Sequence, residues 1–127
     1  MELLEVPQTE WAALISLLEE ENFLNEERFA SAYVRGKHRH NGWGRAKIRF
    51  NLRQKGVPIH YITHALFEEL PDSLYLETLQ SKLASRLRTL KTKDDVYTQK
   101  QKLAHYLSQL GYESELVWSA INGLGLK

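Results

Sequence analysis

His60 and His64 stand four residues apart, the spacing that lets two imidazoles on one helical face share a zinc ion. No glutamate lies between them as in a zinc protease and no third ligand stands out, so they read as surface residues and no metal is expected. His38 and His40 flank Arg39, whose charge opposes a bound cation; their own contribution is extra positive charge at mildly acidic pH. Serine, histidine and aspartate all occur, but no nucleophile elbow does, and GWGRAK at 42–47 lacks the spacing and the preceding strand of a phosphate loop. With no cysteine, thiolate catalysis, disulfides and cysteine-based metal centres are excluded. The sequence predicts a chain that is not an enzyme and uses no cofactor.

What remains is charge. Arg28, Arg35, Lys37, Arg39, Arg45, Lys47, Arg49, Arg53 and Lys55 are nine cations in a stretch that contains no Asp or Glu. Eight acids precede that block and eight follow it, so a formal net charge of +1 conceals a strong local field. Such a block suits a polyanion or an acidic protein surface, although a merely solvated helix is the plainer alternative. Arg45, Arg49 and Arg53 recur every four residues and share a helical face, with Lys47 turned away from the Ile48/Leu52 stripe. Like charges at that spacing repel, which favours an anionic partner lying against them. On this reading, reversing Arg45 and Arg49 to glutamate weakens binding and leaves helical content intact. Trp43, between Gly42 and Gly44, is expected to plug a turn in which glycine supplies left-handed backbone; an aromatic contact with a partner is the alternative.

The elements that must carry these residues are helical throughout. Pro7 opens a first helix with Trp11, Leu14, Ile15 and Leu18 at helical spacing. Asn25 is a candidate N-cap for a second, with Glu26 and Glu27 at its positive end and Phe29, Ala32 and Tyr33 as its apolar stripe. After a break at 41–44 a third helix turns Ile48 and Leu52 inward and stops at Gly56. Pro58 then starts a helix with Ile59, Ile62, Leu66 and Leu70 on its buried edge. Beyond Pro71 come three more: Leu76, Leu79, Leu83 and Leu87; then Val96, Leu103, Leu107 and Leu110; then, past Gly111, Leu116, Val117, Ala120 and Ile121.

That order is an internal repeat. KIRFNLRQKGVPIHYITHAL at 47–66 lies over KLAHYLSQLGYESELVWSAI at 102–121 with an offset of 111 − 56 = 55, and FAS at 29–31 matches LAS at 83–85 at an offset of 54. Val6-Pro7 corresponds to Val57-Pro58 as a fainter copy. The expected fold class is all-α: tandem three-helix, helix-turn-helix-like repeats in an elongated, curved array. Residues 1–22 would be the last helix of an incomplete first repeat, 23–70 the second repeat and 71–127 the third. At 127 residues and 43% apolar content, such a chain can fold without metal or disulfide staples. It has no apolar run long enough for a membrane span, and its start, MELLEV, lacks the pattern of a secretory signal, so the expected location is the cytoplasm and no membrane partner is expected.

FLNEERFASAYVRGKHRHNGWGRAKIRFNLRQKGVPIHYITHAL, at 23–66, resembles the central signature of the RecX regulators of bacterial recombination. It shows an acid-acid-R-F-A element, Y-V-R, the G-x-G turn, an I-R-x-x-L helix, and G-V before a helix ending in A-L. QKLAHYLSQLGYESELVWSAI is similar, more weakly, to that family's closing pattern, so the resemblance covers about four-fifths of the chain. It implies a monomeric modulator that binds the RecA filament on single-stranded DNA and inhibits ATP hydrolysis, strand exchange and repressor cleavage, with a weak direct DNA contact besides. The alternative is a stand-alone helix-turn-helix-like nucleic-acid binder with Arg45 to Lys55 as recognition helix.

Overall fold

The computed structural model describes residues 8–90 and 93–126, with backbone alone at 8, 9, 11, 15 and 23. Six α-helices follow one another, and no strand occurs among the described residues. Gln8–Gly36 (α1) is a single helix of 29 residues, about 43 Å long. The helix start expected at Asn25 is therefore corrected: Asn25 lies within α1. Between Glu19 and Gly36 there is no proline or glycine, and six of the nine residues from Glu19 to Glu27 are Glu or Leu, good helix formers, so the modest cost of an internal asparagine does not break it. Leu14 and Leu18, expected on a buried stripe, are 44% and 56% exposed; the Trp11 and Ile15 side chains and the Val6-Pro7 copy fall outside the described residues.

The buried row of α1 is Ala30 and Val34, one residue along from the expected stripe and continued by His38 in the turn that follows; Phe29 is 46% exposed. Small side chains on this row let α3 (Ile59–Glu69) lie along α1 in the same sense, with Glu27 opposite His64 and Arg35 opposite Glu69. A π-helical turn, Lys37–Asn41, ends α1 at Gly42, whose φ of 70° is left-handed as expected and whose N–H donates to the His38 carbonyl at 3.0 Å. Next comes α2 (Arg45–Gln54), with Ile48 and Leu52 fully buried.

The repeat at offset 55 is written in the backbone as well as in the letters. Gly56 and Gly111 both have positive φ, 83° and 99°. Val57 donates to the Leu52 carbonyl at 3.1 Å, and Tyr112 to that of Leu107 at 3.2 Å. Buried positions correspond too: Ile48 with Leu103, Leu52 with Leu107, Ile62 with Val117, and Leu66 with Ile121. α5 (Val96–Leu110) and α6 (Ser114–Asn122) thus repeat α2 and α3, with Asp95 capping α5 by accepting the Thr98 N–H at 2.7 Å. In the third repeat's first helix, α4 (Asp72–Thr89), the match of FAS to LAS does not carry over to packing, since Leu83 is buried where Phe29 is exposed. Its buried row is Tyr75, Leu79 and Leu83, while Leu76 is 43% exposed. Ile59 is likewise turned outward at 45%. Each repeat supplies half of one continuous core, and the whole is an all-α tandem array.

Candidate functional site

Part of the basic block is tied to acids of the chain itself and part is left free. Arg28, Arg39, Arg49 and Arg53 are exposed and make no ion pair among the described residues. Arg35 is exposed but donates to Glu69 at 2.9 Å. Lys37, Lys47 and Lys55 gather around two rings: the Lys37 ammonium is 5.5 Å from the Tyr33 ring and 5.0 Å from that of Trp43, Lys47 is 4.6 Å from Trp43, and Lys55 is 5.8 Å from Tyr33. Trp43 is half-buried against the core, so it serves as the expected plug and also holds two lysines. His60 lies against Tyr61, and His64 faces Glu27 at 3.5 Å.

Arg45 departs from the expected outward face. Its side chain is 20% exposed and its guanidinium lies 3.8 Å over the Tyr75 ring, donating to Glu113 at 3.0 Å and to Asp72 at 3.0 Å. The cause is position: Arg45 is the first residue of α2, and Asp72 at the start of α4 and Glu113 just before α6 meet it there. Arg45 is a clamp between repeats, and the set of cations free for a partner shrinks accordingly.

Around that clamp lies a polar joint. The Tyr75 hydroxyl accepts the Arg45 backbone N–H at 2.9 Å and donates to Glu113. Tyr112 donates to the Gly42 carbonyl at 2.9 Å. His38 is buried, stacked on Tyr75; its Nδ1 must carry the proton, because it faces the Trp43 carbonyl at 2.9 Å, which leaves Nε2 as an acceptor 3.0 Å from the Thr78 hydroxyl, whose one proton it shares with the Leu74 carbonyl. Backbone completes the contact: the Gly44 N–H donates to the Leu110 carbonyl at 2.6 Å and Ala46 to that of Gly111 at 3.0 Å, so the C-terminus of α5 caps the N-terminus of α2. This is why Gly44 must be glycine, although its φ of −83° is ordinary. A Cβ there would stand 2.4 Å from the Gly111 carbonyl carbon.

The joint sets its own protonation. Burial above all, then Glu113, pushes the Tyr75 hydroxyl far above its usual value, so it remains a donor. Burial opposes ionisation of Glu113, but the Tyr75 and Arg45 hydrogen bonds outweigh it and hold the carboxyl below the usual range. Burial likewise works against the Arg45 charge and is outweighed by Glu113. Burial lowers His38, keeping it neutral at neutral pH. For Glu113, a folded pKa below the unfolded one means stability that is fully present above the ordinary carboxylate range and lost as pH falls through the depressed value. Glu113→Gln is expected to cost about 1 kcal/mol at pH 7, modest because the side chain is 38% exposed, and to weaken the acid-side fall in melting temperature. Thermal melts of both proteins from pH 7 down to pH 3 measure it.

Sequence reasoning missed Tyr75, Glu113, Tyr112, Asp72 and Thr78. A signal existed for the first: Tyr75, Leu79 and Leu83 are spaced by four, and so form a stricter helical row than the leucines alone.

Residues 25–66 match the family model described as RecX, second three-helix domain. A regulatory protein RecX from Clostridium botulinum (strain Eklund 17B / Type B) is 36% identical over 106 residues, covering 81% of this chain and 48% of that protein. One from Vibrio parahaemolyticus serotype O3:K6 is 31% identical over 110 residues, covering 87% and 68%. The chain thus spans about half the length of the Clostridium relative and two-thirds of the Vibrio one. Among solved structures, the crystal structure of RecX from Lactobacillus salivarius matches with a TM-score of 0.73 at 23% identity, covering 95% of this chain and 77% of that one, a likeness of fold.

Proposed function

From the premise that this chain belongs to the RecX family of regulatory proteins, we propose that it binds RecA filaments on single-stranded DNA and inhibits RecA. It acts by docking, without catalysis, in the cytoplasm where RecA works. The observation that carries the reading is the set of exposed arginines, Arg28, Arg39, Arg49 and Arg53, left without acidic partners among the described residues beside the lysines on Tyr33 and Trp43. Guanidinium groups held in this way by rigid helices match acidic side chains or phosphates in a filament groove. The clamp at Arg45 fixes how the two repeats present that surface.

The expected result is that substoichiometric protein slows DNA-dependent ATP hydrolysis by RecA, and that the inhibition weakens as salt rises. A coupled ATPase assay with and without the protein, at two ionic strengths, measures it; an unchanged rate sinks the reading. The second reading, a stand-alone nucleic-acid binder that reads bases through α2, is disfavoured by one detail. The Asn51 amide, an adenine-reading group on that helix, already donates to the Lys47 carbonyl at 2.8 Å. Tight, sequence-selective binding to naked DNA together with an unaffected ATPase would reverse that preference.

A further inference from the structure

Residues 8–27 contain six acids and no Lys or Arg, and residues 28–55 contain nine cations and no acid. Because α1 is one continuous helix, its acidic end points away from its basic end, about 20 Å separating Glu20 from Arg35, and Glu10, Glu19, Glu20 and Glu21 make no ion pair among the described residues. The acidic half is also apolar and uncovered: Leu14, Leu17, Leu18 and Leu24 are 44%, 62%, 56% and 44% exposed. Glu10 and Glu21 fall within that leucine stripe, so two such stripes pressed together would oppose acid to acid. The complementary surface lies on α2, where Phe50, 62% exposed, lies beside Arg49 and Arg53, which make no ion pair among the described residues.

We propose that a second copy of this chain covers the acidic leucine stripe of α1, head to tail, through the Arg49–Phe50–Arg53 face of its α2. Leucine and phenylalanine bury one another while glutamates flank arginines, so apolar and charge patterns match across the same contact. Because the two surfaces differ, a single head-to-tail contact leaves one of each free on the pair, to which further copies can add. It uses arginines assigned above to the RecA filament, so self-association and filament docking compete for one face; the association itself does not rest on the RecA reading and is measured without RecA or DNA.

Sedimentation velocity on the full chain tests it. Wild type is expected to show an average mass that rises with protein concentration at about 50 mM salt and returns to monomer near 0.5 M, where the Debye length falls to roughly 4 Å. Glu19→Lys/Glu20→Lys/Glu21→Lys and Arg49→Glu/Arg53→Glu each remain monomeric alone, and a 1:1 mixture of the two associates again, because each reversed surface now finds a reversed mate. Circular dichroism confirms that both variants are folded. A monomeric wild type at low salt, association untouched by either reversal, or a mixture that stays monomeric overturns the proposal. A wild type that stays monomeric at low salt yet still inhibits RecA would separate its failure from that of the functional reading.

Discussion

Gly44→Ala is expected to cost about 3 kcal/mol, lowering the melting temperature by roughly 10 °C in a chain of this size. The added Cβ would meet backbone, 2.4 Å from both the carbon and the oxygen of Gly111 and 2.5 Å from the Tyr112 nitrogen, and backbone cannot swing aside as a side chain can. The clash would pull apart the bonds by which α5 caps α2, and the Arg45–Tyr75–Glu113 network with them. Two other glycines serve as internal controls. Gly56 has φ +83° but open space around it, so alanine there costs only the strain of left-handed backbone, about 1 kcal/mol. Gly36 ends α1 with ordinary helical φ and nothing within 4 Å, so alanine is expected to stabilise by about 0.5 kcal/mol. Thermal melts should rank the variants Gly36, Gly56, Gly44 from most to least stable; equal effects at 44 and 56 would mean the two repeats do not meet there.

Arginines that look alike in sequence should behave oppositely. Arg45→Glu would place a third acid beside Glu113 and Asp72 and strip the cation from the Tyr75 face, at a cost of about 3 kcal/mol. Arg49→Glu/Arg53→Glu touches no internal partner among the described residues and should leave the melt within about 0.5 kcal/mol of wild type. On RecA filaments the order reverses in meaning: the double variant is expected to lose at least about tenfold in affinity while folded, and Arg45→Glu loses activity through misfolding. The expectation that Arg45 and Arg49 could be reversed together with helical content intact is withdrawn on this ground. Measuring stability and filament binding on the same preparations separates the two effects.

Helix content and the repeat were legible in the sequence because they rest on local chemistry. Apolar spacing placed Ile48, Leu52, Leu103 and Leu107 inside, and glycines after the last helical turn marked Gly42, Gly56 and Gly111, which all adopt positive φ. What failed was decided by distance along the chain. Asn25 has the chemistry of a cap, but nothing local breaks the helix around it, and the register of α1 was set by α3, some thirty residues on. The candidate site was half legible. The cations were counted correctly, but which of them face solvent depends on Glu113, 68 residues from Arg45, and no period in the sequence links the two. Gly44 shows the same limit: its reason for being glycine lies on Gly111, in the other repeat.

The affinity of labelled protein for preassembled RecA filaments on single-stranded DNA, wild type against Arg49→Glu/Arg53→Glu, tests the docking face most directly. Fluorescence anisotropy at fixed ionic strength should give tight binding for the wild type and at least about tenfold weaker binding for the double variant, with matching melts. Equal affinities for two equally folded proteins would contradict the account, since the exposed arginines of α2 would then contribute nothing to the partner.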